Sequence, residues 1–150
     1  MSEVESTRVV TIGFAGKMAG QFFGALRRAG VRQVLDVRLN NVSQLAGFTK
    51  RQDLPFFLRR LCAAEYVYQP LLAPTKEILE TYRTDRSWER YTDWFLRLLS
   101  ERQVEQVVPR DLFATRTALL CSEPKPETCH RRLVAEYLAE HWGGLEIVHW

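Results

Sequence analysis

Thr117-Ala118-Leu119-Leu120-Cys121-Ser122-Glu123-Pro124-Lys125-Pro126-Glu127-Thr128-Cys129-His130-Arg131-Arg132 is the stretch from which the rest of the chain can be read. An apolar run gives way to a proline-punctuated polar loop and then to the first turn of a helix whose apolar stripe is Leu133, Val134, Tyr137, Leu138 and Trp142. The pattern predicts a buried strand ending at Cys121 and a helix beginning near Thr128 or Cys129. The first amides of a helix have no intrahelical partner and sit at the positive end of its dipole, so this turn attracts anions. Arg131 and Arg132 add full charge, and a thiol in such a field has its thiolate favoured.

Outward from this stretch, apolar runs alternate with helical periods. Arg8 to Ile12 reads as a strand ending at Gly13, followed by a helix with Met18, Phe22 and Leu26 at four-residue spacing, stopped at Gly30. Val31 to Val37 is the next strand, with Asp36 and Arg38 at its end. Residues 39–52 carry no sustained period and read as a long surface loop. Asp53 is the expected N-cap of a second helix with Pro55 in its first turn and Phe57, Leu58, Leu61 and Cys62 on its apolar face, Cys62 as buried filler. Glu65 to Tyr68 is a strand, Thr75 to Tyr82 a short helix, and Trp88, Tyr91, Phe95, Leu98 and Leu99 the core-facing row of a longer one. Val104 to Phe113, broken by Pro109, reads as connector or helix ends. Gly143-Gly144 caps the last helix before a final strand, Leu145 to Val148.

Strands alternating with helices predict an α/β fold: a single three-layer domain over residues 1–150 with a mainly parallel sheet in a Rossmann-like layout, residues 1–7 forming a flexible N-terminus. In such a sheet the loops after the strands gather along one edge. Gly13, Asp36 to Arg38, and Cys121 to Arg131 should therefore line one crevice. Neither the Gly13 to Gly16 turn nor any other segment completes a dinucleotide fingerprint or a P-loop.

The layout of Asp-Val-Arg after one strand and a cysteine after a later one is similar to rhodanese-like and cysteine-phosphatase sites. Here, however, the nine residues 122–130 separate Cys121 from Arg131, and two of them are prolines that remove amide donors.

An apolar fraction of 46% suffices for one well-buried core, and no apolar run approaches the roughly 20 residues of a membrane span. A polar start, three cysteines with no paired framework and no membrane segment predict a cytoplasmic protein with no membrane partner. The net charge of +3 is too small to assign a partner class by itself.

Leu119-Leu120-Cys121-Ser122-Glu123 followed by Cys129-His130-Arg131 resembles the signature of the widespread prokaryotic family catalogued as domain of unknown function 488. Thr11-Ile12-Gly13, Val34-Leu35-Asp36-Val37-Arg38 and Ser43 with Gly47-Phe48 extend the resemblance over nearly the whole chain. It implies an α/β domain with functional weight on these motifs and names no activity. Where members commonly carry a serine after the first glycine, this chain has Phe14-Ala15.

These readings converge on an anionic small molecule, phosphate- or carboxylate-bearing and possibly a nucleotide, held at the C-terminal edge of the sheet. Cys121 is the candidate nucleophile, and Asp36, Glu123 and His130 are the candidate acid–base groups. Gly13, Arg38, Ser43, Cys129 and Arg131 are the candidate ligand-binding residues. The residues do not identify a cofactor, which stays unknown at this point. A metal site from Cys121, Cys129, His130 and His149 is a third reading with a weak signal, and none is assigned, because neighbouring Cys129 and His130 diverge by about 100° on a regular helix and no CxxC pair is present. The alternative is a nucleic-acid-associated protein using Lys50, Arg51, Arg59 and Arg60 among Phe48, Phe56 and Phe57.

Overall fold

Side chains alternate along a strand, and here the alternation sorts the apolar residues onto two faces of one sheet. Val9, Leu35 and Leu119 project to one side, and Val10, Val34, Ala118 and Leu120 to the other. A computed structural model of the chain describes residues 7–42, 47–122 and 126–150. Its strands are β1 (Thr7–Gly13), β2 (Gln33–Asp36), β3 (Glu65–Tyr68), β4 (Thr117–Cys121) and β5 (Leu145–His149). They form one sheet in the order β3-β2-β4-β1-β5, and every pairing is parallel.

Two helices, α1 (Ala19–Arg28) and α2 (Leu54–Cys62), cover one face through Phe22, Leu26, Leu54 and Leu58. The other face is covered by α3 (Lys76–Asp85), α4 (Trp88–Glu101), α5 (Val104–Val107) and α6 (His130–Trp142) through Ile78, Phe95, Val104 and Val134. The result is the expected three-layer, Rossmann-like α/β arrangement.

Several boundaries differ from the sequence reading. Strand β1 starts at Thr7, which joins the sheet opposite Leu145 instead of belonging to a flexible terminus. Met18 precedes α1 and is 73% exposed, so Phe22, Phe23 and Leu26 carry the buried face without it. Asp53 occupies the N-cap of α2 but its side chain makes no cap bond. Cys62 is half-buried, not fully buried, and its thiol donates to the Phe23 carbonyl at 3.5 Å. Pro109 separates α5 from a 3₁₀ turn, Arg110–Phe113.

The strand order determines where a ligand site can form. Adjacent strands β2 and β4 are followed by α2 and α6, which lie on opposite faces, so their outgoing chains part and leave a crevice at the carboxyl ends. Asp36 pairs with Leu120 in this register. Arg38 and Cys121 accordingly leave the same edge.

Candidate functional site

At the end of β2 the chain is held by a buried ionic network. Arg38 Nε donates to Asp36 Oδ1 at 2.8 Å and its Nη2 to Oδ2 at 3.0 Å, with 3% and 0% of the two side chains exposed. The Tyr66 hydroxyl donates to Asp36 Oδ2 at 2.5 Å, the Arg38 backbone N–H donates to Oδ1, and Arg38 Nη2 also donates to the Thr49 carbonyl at 2.6 Å. Each bond ties an element to the next: β3 through Tyr66, β2 through Asp36, and the turn at Gly47–Thr49 through Arg38. Asp36 therefore braces the turn Gly47–Thr49 through Arg38 and is enclosed by its partners. Its charge and burial raise the cost of ionising Tyr66, whose pKa is pushed well above the tyrosine range by desolvation first and by the Asp36 bond and charge second.

Across the crevice, β4 ends at Cys121, and the turn Pro126–Thr128 leads into α6. Cys129 is the N-cap of α6 and has extended backbone, φ −127° and ψ 138°. This conformation removes the premise that Cys129 and His130 diverge as successive positions of one helix. Cys121 Sγ lies 3.5 Å from His130 Nδ1, and the ligand atoms of Cys121, Cys129 and His130 all lie within 4.8 Å of one another. The three side chains are buried, at 3%, 1% and 6% exposed.

His130 Nε2 is 2.6 Å from the Val37 carbonyl. A carbonyl only accepts, so Nε2 carries a hydrogen, and in the neutral form of the ring the lone pair is on Nδ1, facing the Cys121 sulfur. Burial alone would depress the imidazole pKa, but the charge and hydrogen bond of Cys121 and the bond to Val37 outweigh it, and the net shift is upward. The Cys129 thiol is pushed far above its ordinary value by its hydrogen bond to Cys121 first, then by burial and the Cys121 charge, so Cys129 holds its proton.

Over this cluster lies a cavity of about 430 Å³. Cys121, Cys129 and His130 line it together with Ser122 and Thr128. Tyr82, Trp88 and Tyr91 form an aromatic wall in which Trp88 and Tyr91 stack at 4.8 Å. Arg38, Arg83 and Arg86 supply guanidinium groups, the last two exposed to solvent.

Of the residues singled out in the sequence, the cavity brings together Cys121, Cys129, His130 and Arg38. Gly13 pairs with Cys121 across β1 and β4 and accepts from Lys17 Nζ, but does not line the cavity. Asp36 lies behind Arg38. Arg131, expected to face the crevice, is 0% exposed, donates through Nη2 to the Trp150 carbonyl at 2.9 Å and does not line the cavity, although its charge acts on Cys129 and His130. Ser43 and Glu123 lie outside the described residues. His149, on β5, is bonded to Thr11 Oγ1 at 2.6 Å and is not part of the cysteine–histidine cluster.

The sequence reading missed Tyr82, Arg83, Arg86 and Trp88. Their signal was a Tyr-Arg pair at the end of one helix and a Trp opening the next, with Arg86 between them. The row Trp88, Tyr91, Phe95, Leu98 and Leu99, read as core, is buried at Tyr91, Phe95 and Leu99, while Trp88 and Leu98 are half-buried. On the opposite face, Phe48 and Phe57 pack against Phe23 at 5.7 and 5.8 Å, and Phe56 remains 57% exposed beneath the guanidinium of Arg60.

No curated protein and no solved structure matches the chain significantly. The family described as "Domain of unknown function DUF488" matches residues 19–138, a span that includes both the Asp36–Arg38 brace and the Cys121–Cys129–His130 cluster. The chain belongs to the DUF488 family.

Proposed function

We propose that this protein binds a small organic anion in the cavity at the carboxyl edge of its sheet, and that the cysteine–histidine cluster faces the reacting group of that ligand. The observation that carries the reading is that the exposed guanidinium groups of Arg83 and Arg86, an aromatic wall and the buried Cys121–His130 pair all line one space of about 430 Å³. Such a volume suits a small molecule with a few fixed polar contacts. Arginine forks recognise phosphate or carboxylate bidentately, and Tyr82 and Trp88 offer faces to a planar ring, so a nucleotide is among the candidates. The start of α6, with Thr128 and Cys129 at the cavity, adds amide donors and a favourable dipole there.

A thermal-shift screen of nucleotides, sugar phosphates, simple carboxylates, phosphate and sulfate tests this. A ligand that binds only the folded state stabilises it by RT ln(1 + [L]/Kd). At least one anion should raise Tm, and Arg83→Ala or Arg86→Ala should diminish the shift. Arg97→Ala, on the exposed side of α4 and away from the cavity, should leave it intact. If no anion stabilises the protein, or all three variants respond alike, the cavity is not an anion site. Stabilisation by generic RNA or DNA, lost in Arg59→Ala or Arg60→Ala instead, would favour nucleic-acid association.

A further inference from the structure

We propose that Cys121, Cys129 and His130 form a metal centre for a thiophilic, four-coordinate divalent ion of the zinc class, with its fourth position open to the cavity. The donor set comes first. Two sulfurs and one imidazole nitrogen suit zinc and similar borderline-soft ions, whereas magnesium and calcium require oxygen ligands.

The spacing is the second observation. Zinc bonds sulfur at about 2.3 Å and imidazole nitrogen at about 2.0–2.1 Å, so two ligands at a tetrahedral angle stand roughly 3.5 Å apart for a sulfur–nitrogen pair. The Cys121 Sγ to His130 Nδ1 distance is 3.5 Å. All three donor atoms fall within 4.8 Å of one another, which a small adjustment of the Cys129 side chain brings onto one ion.

The third observation is orientation. A metal-bound histidine characteristically donates its other ring N–H to a carbonyl or carboxylate, which fixes the tautomer and aims the lone pair. Val37, just past the end of β2, accepts from Nε2 at 2.6 Å and leaves Nδ1 facing the Cys121 sulfur at 3.5 Å. The extended backbone of Cys129 then lets consecutive residues converge where a helical pair would diverge.

Charge agrees with this arrangement. Binding of a divalent ion displaces the thiol protons and neutralises the two buried thiolates so formed, which would be costly without it. Since all three ligands also line the cavity, the centre has the three-ligand, one-open-position form of a catalytic site, unlike the closed four-ligand form of a structural one. This deepens the small-anion reading in one respect: the open position is where a donor atom of that anion or a water would bind.

The test uses the whole chain, stripped with chelator under reductant and titrated with cobalt(II), then zinc(II). One cobalt per chain should give the thiolate charge-transfer absorption in the near ultraviolet and the intense visible bands of four-coordinate cobalt, both abolished by zinc. Cys121→Ser, Cys129→Ser and His130→Ala should each weaken zinc binding by more than about 100-fold, the upper range found for loss of supporting contacts alone. Cys62→Ser should bind like the wild type. Because a cluster variant could misfold, alkylation of the wild-type protein is read in parallel: zinc should protect Cys121 and Cys129 and leave Cys62 unchanged. Cobalt spectra without thiolate bands, wild-type affinity in any cluster variant, or alkylation indifferent to zinc would each overturn the proposal. Anion-dependent thermal shifts measured on the metal-free protein are scored separately. They can fail while the metal centre stands, or succeed while it falls.

Discussion

Replacing Arg38 by Met should be among the most damaging single changes in this chain, and the structure sets its scale. The substitution keeps much of the side-chain length but removes the two bonds to Asp36, at 2.8 and 3.0 Å, and the bond to the Thr49 carbonyl at 2.6 Å. Asp36 is 0% exposed and, among the described residues, would keep the Tyr66 hydroxyl and one backbone N–H. Breaking a buried, hydrogen-bonded pair by deleting one partner costs about 3–5 kcal/mol, because the remaining charge stays desolvated. Against a total stability of roughly 5–15 kcal/mol for a typical domain, that is a large fraction. Urea unfolding of the wild type, Arg38→Met, Asp36→Leu and the double variant forms a cycle that isolates the pair. The double variant should lose at least about 2 kcal/mol less than the two single losses added together, since it strands no charge. Arg38→Lys, which keeps the charge but not the fork, should fall between wild type and Arg38→Met. An Arg38→Met loss under about 1 kcal/mol, the range of exposed ion pairs, would refute the picture of a desolvated brace. Additive single losses would refute it as well.

Other expectations follow from neighbouring groups. Tyr66→Phe, which deletes a bond to a buried carboxylate, should lower stability by about 1.5–3 kcal/mol, and in an ultraviolet titration of the wild type the Tyr66 phenol should ionise above the ordinary tyrosine range. Arg102 Nη1 donates to the Leu71 and Ala73 carbonyls at 2.8 and 2.7 Å, pinning the segment that leads to the cavity wall at Pro74; Arg102→Met should cost about 1–3 kcal/mol and shorten proteolytic lifetime at residues 69–75. The His149 pKa is lowered, by burial first and by Arg131 and Arg132, with Glu136 and Glu127 opposing. A histidine depressed on folding contributes stability that is present above its unfolded value of about 6.5 and is lost as pH falls through the folded value. The stability advantage of the wild type over His149→Gln should therefore shrink below pH about 6.5, and parallel pH profiles would exclude this linkage.

What the sequence determined by itself is local and periodic. Apolar alternation in Val9 to Ile12 and Ala118 to Leu120, and helical periods between such runs, specify strands and helices whatever the fold. The right-handed crossover rule then directs the ends of parallel strands to one edge, so Arg38 and Cys121 could be brought together before any coordinates. The tertiary structure decided what depends on neighbours distant in sequence. It placed β4 between β1 and β2, which opened the crevice at the β2–β4 junction. It turned Arg131 toward Trp150 and supplied Arg83 and Arg86 from α3 and its end. It also set Cys129 in extended backbone one residue before the helix, a choice between two conformations that helix periodicity cannot resolve at a terminus. The reason is physical: side-chain period reports which face is buried, whereas the direction of an arginine or a thiol at an element's end is set by the packing of other elements against it.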